Sequence, residues 1–534
     1  MEPGGSVTAA ARPGTWASLR SAAGSWRLAS VALLSFASGL PLGLVWIAIP
    51  AWMARAGVDI KVIGLFTLVQ APWSFKLLWS PYMDRFPPPF LGRKRGWILL
   101  AQLALLVLGL ALASVSRDPR AVWVIGSLAC AIAFASATQD IAIDAYAVEV
   151  LQREEQGIAT GARTMLYRAA MLVAGGVSIT LAAGTSWAFV NVLLALLYVP
   201  MMVVTWFAPE PESAAAPPRT LRDAVWGPFV GFLAQHRALA ILAFVVLYKL
   251  AENLTMSLTR PFLVQSGFND VDVGVATATI GQVSMIVGTM AGGILTDRIG
   301  LGRALWAFGF VQLAANLGYA VVAQVGVNRP VMYSAQAVEY LTSGLAGGAL
   351  GVLLLRLTQK RFSATQYALL SSLFSLPRIL AGPIAGVLAD TIGWRNFFLS
   401  TVLFGIPGLV MLARFVPWGV RDVAFDVPAP ARGAPLGRRG LVVRSLLGGL
   451  VGLAVGLSGV GLVGGLAGLR AKRGFAAFPA VMAVLQPARV SDWTTAAGLV
   501  VLAGLAGLAT AAALVARRGV IGMRDLGETG DPRE

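Results

Sequence analysis

Long apolar runs broken by short polar turns dominate the chain. A membrane-crossing helix needs about 20 mainly apolar residues. Such stretches fall near 28–52, 60–82, 96–116, 121–148, 160–183 and 186–208. A polar, proline-rich stretch over 209–236 follows, and six more runs lie near 238–265, 271–296, 303–324, 330–356, 365–389 and 394–416. A second Pro/Arg-rich linker, 417–440, precedes two last runs near 441–467 and 493–516. The pattern predicts an all-α integral membrane protein of about fourteen spans. Its parts are a tail (1–27), a six-helix half (28–208), a linker (209–236), a second half (237–416), a linker (417–440), two additional helices (441–516) and a tail (517–534).

Composition narrows the class. Of 534 residues, 57% are hydrophobic and 13% charged, whereas a soluble domain carries about 25% charged residues. Too little polar surface is available to coat a water-exposed body, so the lipid bilayer is the expected solvent. The net charge of +17 is spread through short clusters between apolar runs, with no aromatic-interleaved basic stripe, and nucleic acid is not an expected partner. A single cysteine, Cys130, excludes an intramolecular disulfide. With His236 as the one histidine, no metal site is expected. The first apolar run is too long for a cleaved signal and is expected to stay as the first membrane helix.

Charge also sets orientation. Arg20, Arg27, Arg85, Arg93, Lys94, Arg95, Arg298, Arg303, Lys360, Arg361, Arg438, Arg439, Arg517 and Arg518 fall on one side of the predicted membrane. The positive-inside bias makes that side cytoplasmic, with both termini inside.

Between the second and third runs the chain reads Ser80-Pro-Tyr-Met-Asp84-Arg85, then Gly92-Arg93-Lys94-Arg95. Between the eighth and ninth it reads Gly293-Ile-Leu-Thr-Asp297-Arg298-Ile-Gly300-Leu-Gly-Arg303. Both resemble the loop signature of the major facilitator superfamily, and six plus six joined by a linker is that superfamily's organisation. An Asp at such a helix end can accept hydrogen bonds from a neighbouring helix N-terminus, arginines can pair with it, and glycine permits the turn. Asp84, Arg85, Arg93, Gly293, Asp297, Arg298 and Arg303 are therefore expected at a cytoplasmic gate. Pro87–Pro89 lengthen the first copy.

Ionisable groups inside spans cost about 2.5–3.5 kcal/mol each and mark function by default. Asp140 and Asp144 share a face of the fourth run, where a like-charged neighbour and burial suit proton binding. Glu252 and Glu339 are further proton-coupling candidates. Lys76, Arg168, Lys249 and Arg378, facing a shared cavity, would attract an anionic solute. Lys249 and Glu252, three apart, are equally compatible with a structural pair, and Asp144 with pairing to Arg153 or Arg163. Tyr167 and Tyr248 can stack on a sugar or simply pack.

More specific strings are Phe36-Ala-Ser-Gly-Leu-Pro-Leu-Gly-Leu, Phe75-Lys-Leu-Leu-Trp-Ser-Pro-Tyr-Met-Asp-Arg, Ser136-Ala-Thr-Gln-Asp, Leu247-Tyr-Lys-Leu and Phe362-Ser-Ala-Thr-Gln-Tyr-Ala-Leu-Leu-Ser-Ser. Over residues 30 to 416 the chain closely resembles the AmpG muropeptide permeases of Gram-negative bacteria. That resemblance implies a proton-coupled inner-membrane importer of anhydro-muropeptides, serving peptidoglycan recycling and β-lactamase induction. It needs no cofactor beyond the proton gradient, and a monomer is expected. It also implies cavity or coupling roles for Gly39, Lys76, Ala137, Gln139, Asp140, Tyr167, Lys249 and Arg378. Glu252 stands where close relatives are expected to carry Asp. The nearest alternative is a carrier for another anionic solute, such as acetyl-CoA or small peptides. An enzyme would need a nucleophile–base or metal constellation that one His and one Cys scarcely supply, and a receptor would need a soluble output domain.

Overall fold

A computed structural model describes residues 24–59, 62–63, 66–116, 121–211, 217–218, 220–235, 237–422, 436–470 and 474–518, and within helices it leaves the side chains of 67, 68, 222, 278, 375–380, 383, 438, 470, 490, 491, 494 and 517 undescribed. Arg20, His236, and the side chains of Arg378, Arg438 and Arg517 thus lie outside the described residues.

Backbone polar groups have no water to bond in a bilayer core, so the apolar runs satisfy them internally as helices. Among the described residues twelve helices are long and apolar enough to cross a membrane. They include α1 (Trp26–Arg55), α2 (Arg95–Val115), α3 (Val122–Val150), α4 (Gln156–Gly184) and α5 (Trp187–Phe207). A shorter helix in the first linker, α6 (Leu221–Leu233), is closed at its start by a Thr220–Asp223 capping box. Then come α7 (Ala238–Gln265), α8 (Asp270–Ile299), α9 (Leu301–Val325) and α10 (Arg329–Leu357). The helix α11 (Ser363–Phe415) follows, and α12 (Arg438–Arg470), α13 (Ala477–Leu485) and α14 (Val490–Arg518) complete the chain.

One expectation is corrected here. The second apolar run is no continuous span. It breaks into the short pieces Phe66–Gln70, Ala71–Phe75, Lys76–Leu78 and Ser80–Arg85. Pro72 and Pro81 open two of them, and a proline supplies no N–H to the turn before it. The runs at 365–389 and 394–416, expected as separate helices, are two helices that meet without a loop at Gly393 within the 53 residues Ser363–Phe415. At 1.5 Å per residue that is about 80 Å, far beyond the roughly 30 Å hydrocarbon core. Gly393, with φ 75° and ψ 163°, breaks the helix, and the packing shows that the chain reverses there. Leu370 shares a buried cluster with Leu412 and Phe415, while Ala385 and Ala389 share another with Phe397 and Phe398. α11 is thus two antiparallel arms.

The basic residues of both signature loops gather at one end of the bundle, called the basic end below. The helices α12 and α14 pack through Gly448, Gly452 and Gly456 against Thr510, Ala506 and Leu499. The far end of α14 enters the main core, where Ala512, Ala513 and Ala516 meet Trp226, Phe229 and Val230 of α6.

Gly393 occupies a backbone region open essentially to glycine, and a side chain there costs about 1–3 kcal/mol. Gly393→Ala lowers the melting midpoint of the solubilised protein. Gly347→Ala, at a helical position whose added methyl meets no atom within 4 Å, leaves it unchanged or raises it.

Candidate functional site

Residues 24–211 and 237–422 meet at the basic end through two reciprocal contacts. Asp84 is fully buried at the end of the broken segment. Its carboxylate accepts from the Ala364 N–H at 3.2 Å, the Thr365 N–H at 2.9 Å and the Thr365 hydroxyl at 2.8 Å. The two N–H groups are orphan donors of the first turn of α11. Lys94 Nζ, itself buried, donates to the same carboxylate at 2.7 Å. At the end of α8, Asp297 accepts from the Gly157 and Ile158 N–H groups at 3.2 Å each, at the first turn of α4. Each carboxylate therefore caps a helix of the opposite half and meets the positive end of its dipole.

Side chains around these caps complete the closure. Glu149, at the end of α3, accepts from Arg93 at 2.5 Å and from the Ser363 hydroxyl at 2.5 Å. Arg93 also donates to the Lys360 and Arg361 carbonyls. Arg356 donates to Gln156 at 3.3 Å and to Asp422 at 2.9 Å. Burial by itself raises the Asp422 carboxyl, but bonds from Arg356 and the Leu301 N–H outweigh it and hold the group below its usual value.

The expected pairing of signature arginines with the aspartates is corrected by this geometry. Lys94, not Arg85 or Arg93, neutralises Asp84; Arg85 stacks on the Phe86 ring at 5.1 Å. Arg303 donates to the Gly419 carbonyl at 3.1 Å, and the Arg298 carbonyl accepts from Arg421. Gly293 acts by close approach. A Cβ there would strike the Gly157 carbonyl, and one on Gly157 would strike the Gly293 carbonyl and the Asp297 carboxylate. Helix α8 also packs backbone to backbone on α10 through Gly288, Gly292, Gly344 and Gly348.

Inside the bundle, charges are mostly matched. Arg163 of α4 donates to Asp144 of α3 and to Ser35 of α1, the latter at 3.1 Å. Lys76 lies 3.6 Å from Asp144. Asp140 accepts from the Ser38 hydroxyl of α1 and feels Lys76, Asp144 and Arg163 electrostatically, but makes no ion pair within 4.0 Å among the described residues. Lys249 donates to Glu252 and to the Ser343 carbonyl, and Ser343 donates to Glu252 at 2.6 Å. Glu339 is fully buried, and Gln312 donates to it at 3.0 Å. Arg168 of α4 donates to Gln282 of α8 at 2.6 Å, joining the halves deeper in the bundle.

Three residues expected to contact substrate are packed within the protein. Tyr248 is in the apolar core against Phe244, its hydroxyl donating to the Leu305 carbonyl at 2.8 Å. Ala137 is fully buried. Gly39 lets α1 approach α4, since a Cβ would strike the Tyr167 carbonyl. Gln139 is buried too, with neither end of its amide partnered. Tyr167 and Arg168 are half-buried on α4, and Lys76 is nearly buried.

Residues missed from sequence include Ser38, Gln282, Ser343, Gln312 and Asn316, single polar residues in apolar runs with no distinguishing spacing. The α4–α8–α10 contact did have a signal. Gly157-x-x-x-Gly161, Gly288-x-x-x-Gly292 and Gly344-x-x-x-Gly348 are small-residue repeats that let membrane helices touch.

Residues 31–381 match the family described as Major Facilitator Superfamily. The chain is 42% identical over 388 residues to the anhydromuropeptide permease of Escherichia coli K12, covering 72% of this chain and 79% of that one. It is 28% identical over 397 residues to the putative transporter AmpG 4 of Rickettsia felis, covering 72% and 96%. Among solved structures, the proton:xylose symporter XylE aligns with a TM-score of 0.57 at 11% identity, over 75% of this chain and 98% of that one, a likeness of fold.

Each charge-assisted bond to a buried carboxylate contributes about 1.5–3 kcal/mol. In a Cys130→Ser background with a cysteine at Thr164, which lies above the closure, the pair Asp84→Asn and Asp297→Asn raises labelling by an impermeant maleimide applied from the basic end. The expected gain is about tenfold, the equivalent of 1.4 kcal/mol. An unchanged rate would mean the two caps do not hold this end shut.

Proposed function

This chain belongs to the AmpG-type permeases of the major facilitator superfamily, and on that premise we propose that it imports anhydro-muropeptides from periplasm to cytoplasm in symport with protons. The observation that carries the substrate is the 42% identity to the anhydromuropeptide permease of E. coli over 388 residues. Two six-helix halves, 28–208 and 237–416, joined by the 209–236 linker, form the transport core. The helices of 441–516 form an appendage after the 417–440 linker. The basic end and both tails (1–27 and 517–534) face the cytoplasm of the inner membrane, so the closure at the basic end shuts the cytoplasmic side. A monomer suffices for this cycle.

Transport then follows as alternating access. Anhydro-muropeptide, carrying sugar hydroxyls and peptide carboxylates, enters from the periplasm toward Lys76, Tyr167 and Arg168. Arg378, Lys249 and Gln139 support the same site in this reading. Asp140 and Glu339 are the carboxylates assigned to proton carriage. Asp144 and Glu252 are held by cations and serve to fix them. Around Asp140, Lys76 and Arg163 offset Asp144 and an ionised Asp140. Protonating Asp140 leaves one positive charge in excess, which favours an anionic solute and so couples the two binding events. Rearrangement breaks the Asp84 and Asp297 caps, and the basic end opens.

Right-side-out vesicles should accumulate labelled N-acetylglucosaminyl-1,6-anhydro-N-acetylmuramyl peptide when the outside is acid, and only equilibrate when the gradient is collapsed. Failure to take it up while another solute accumulates refutes the substrate. Asp140→Asn should reduce accumulation to the equilibrium level; accumulation equal to the unaltered protein refutes its proton role.

A further inference from the structure

Two neighbouring helices surround the Glu339 carboxyl of α10 without supplying a cation. From α9, Gln312 Nε2 donates to Oε1 at 3.0 Å. The near end of the Asn316 amide, also on α9, faces Oε2 at 3.0 Å and Oε1 at 3.1 Å. Its far end lies 3.2 Å from Thr401 Oγ1 on the second arm of α11. Thr401 in turn donates to the Phe398 carbonyl at 2.7 Å.

A hydroxyl has one proton to donate. While Thr401 spends it on Phe398, its oxygen can only accept, so the Asn316 end facing it is the NH2. The end facing Glu339 is then the amide oxygen. Two oxygens about 3.0 Å apart in a dry interior need a proton between them, and the carboxyl is the group able to carry it. The ionised carboxylate requires the reverse order: the Asn316 NH2 turns to Glu339, the amide oxygen turns to Thr401, and Thr401 gives up Phe398 to donate to it. Other charged or titratable groups acting on the site are accounted for. Lys249 and Glu252 of α7 are bonded to each other. Tyr319 of α9 donates to Gln336 at 2.8 Å, and Tyr340 lies beside Glu339 on α10.

We propose that Glu339 is the neutral acid in this state, and that Asn316 and Thr401 are positioning residues whose hydrogen-bond order reverses when the proton leaves. The reversal reaches the backbone of α11 at Phe398, on the hairpin whose first turn Asp84 caps. This rests on the proton-coupled reading above, and deepens it by assigning to a second half-site the reporting of its protonation state.

Infrared difference spectra of the full-length protein in lipid, without substrate, test this apart from the identity of the cargo. The expected result is a carboxylic-acid C=O band at neutral pH that is absent in Glu339→Gln and fades on alkalinisation. Asn316→Leu removes one neutral hydrogen bond from the acid but stronger, charge-assisted bonds from the ion. The band should therefore persist to higher pH, its midpoint raised by about one unit, and the alkaline limb of uptake should move with it. A merely structural Asn316 would lower uptake at every pH without moving the midpoint. The proposal is overturned if no band at neutral pH is lost in Glu339→Gln. It is also overturned if the band appears only when sodium is withdrawn, which would make a metal cation the occupant. Failed muropeptide uptake with the band behaving as described removes the cargo reading alone.

Discussion

Everything at the basic end depends on a carboxylate being bonded by the first turn of a helix that belongs to the other half. Asp84 caps α11 and Asp297 caps α4, so each half holds the other by the same device. Taken out of water, a carboxylate is costly unless fully hydrogen-bonded. The N–H groups of a helix start are equally costly if left unpaired within a membrane. Neither partner has a low-energy intermediate arrangement. The contact is made, or both sides are exposed to water. That all-or-none character is what a two-state transporter requires.

The same constraint orders the interior. Asp144 sits between Arg163 and Lys76, and Lys249 and Glu252 close on each other and on Ser343. These pairs leave little net charge to disturb the bilayer. Asp140 and Glu339 are bonded instead by neutral groups, Ser38 in one half and Gln312 and Asn316 in the other. Neutral partners permit a carboxyl to exist with or without its proton, whereas a fixed cation would favour only the ion.

Much of the architecture was legible in the sequence because length and apolarity are local properties. The two Asp-Arg loops marked corresponding places in the two halves for the same reason. Where the sequence was silent, the deciding partner is remote. Nothing local reveals that Lys94 rather than an arginine reaches Asp84, or that Tyr248 turns into the core toward Leu305. Pro72 and Pro81 did signal a broken second span, but a count of apolar residues passes over them. Gly393 sits in a short polar turn that reads as an ordinary loop, whereas the structure keeps both arms helical up to it. Asn316 had no sequence signal, since its role comes from Thr401, 85 positions away.

We propose that reciprocal capping closes the basic end and that its release is the transporting step. Spin labels at Gln152 and Arg361, on opposite halves of that end, test it most directly through their distance distribution in lipid. A short distance is expected at rest, and a second, longer one populated when anhydro-muropeptide and acid pH are supplied together. A single short distance that persists under conditions of measured uptake would contradict it.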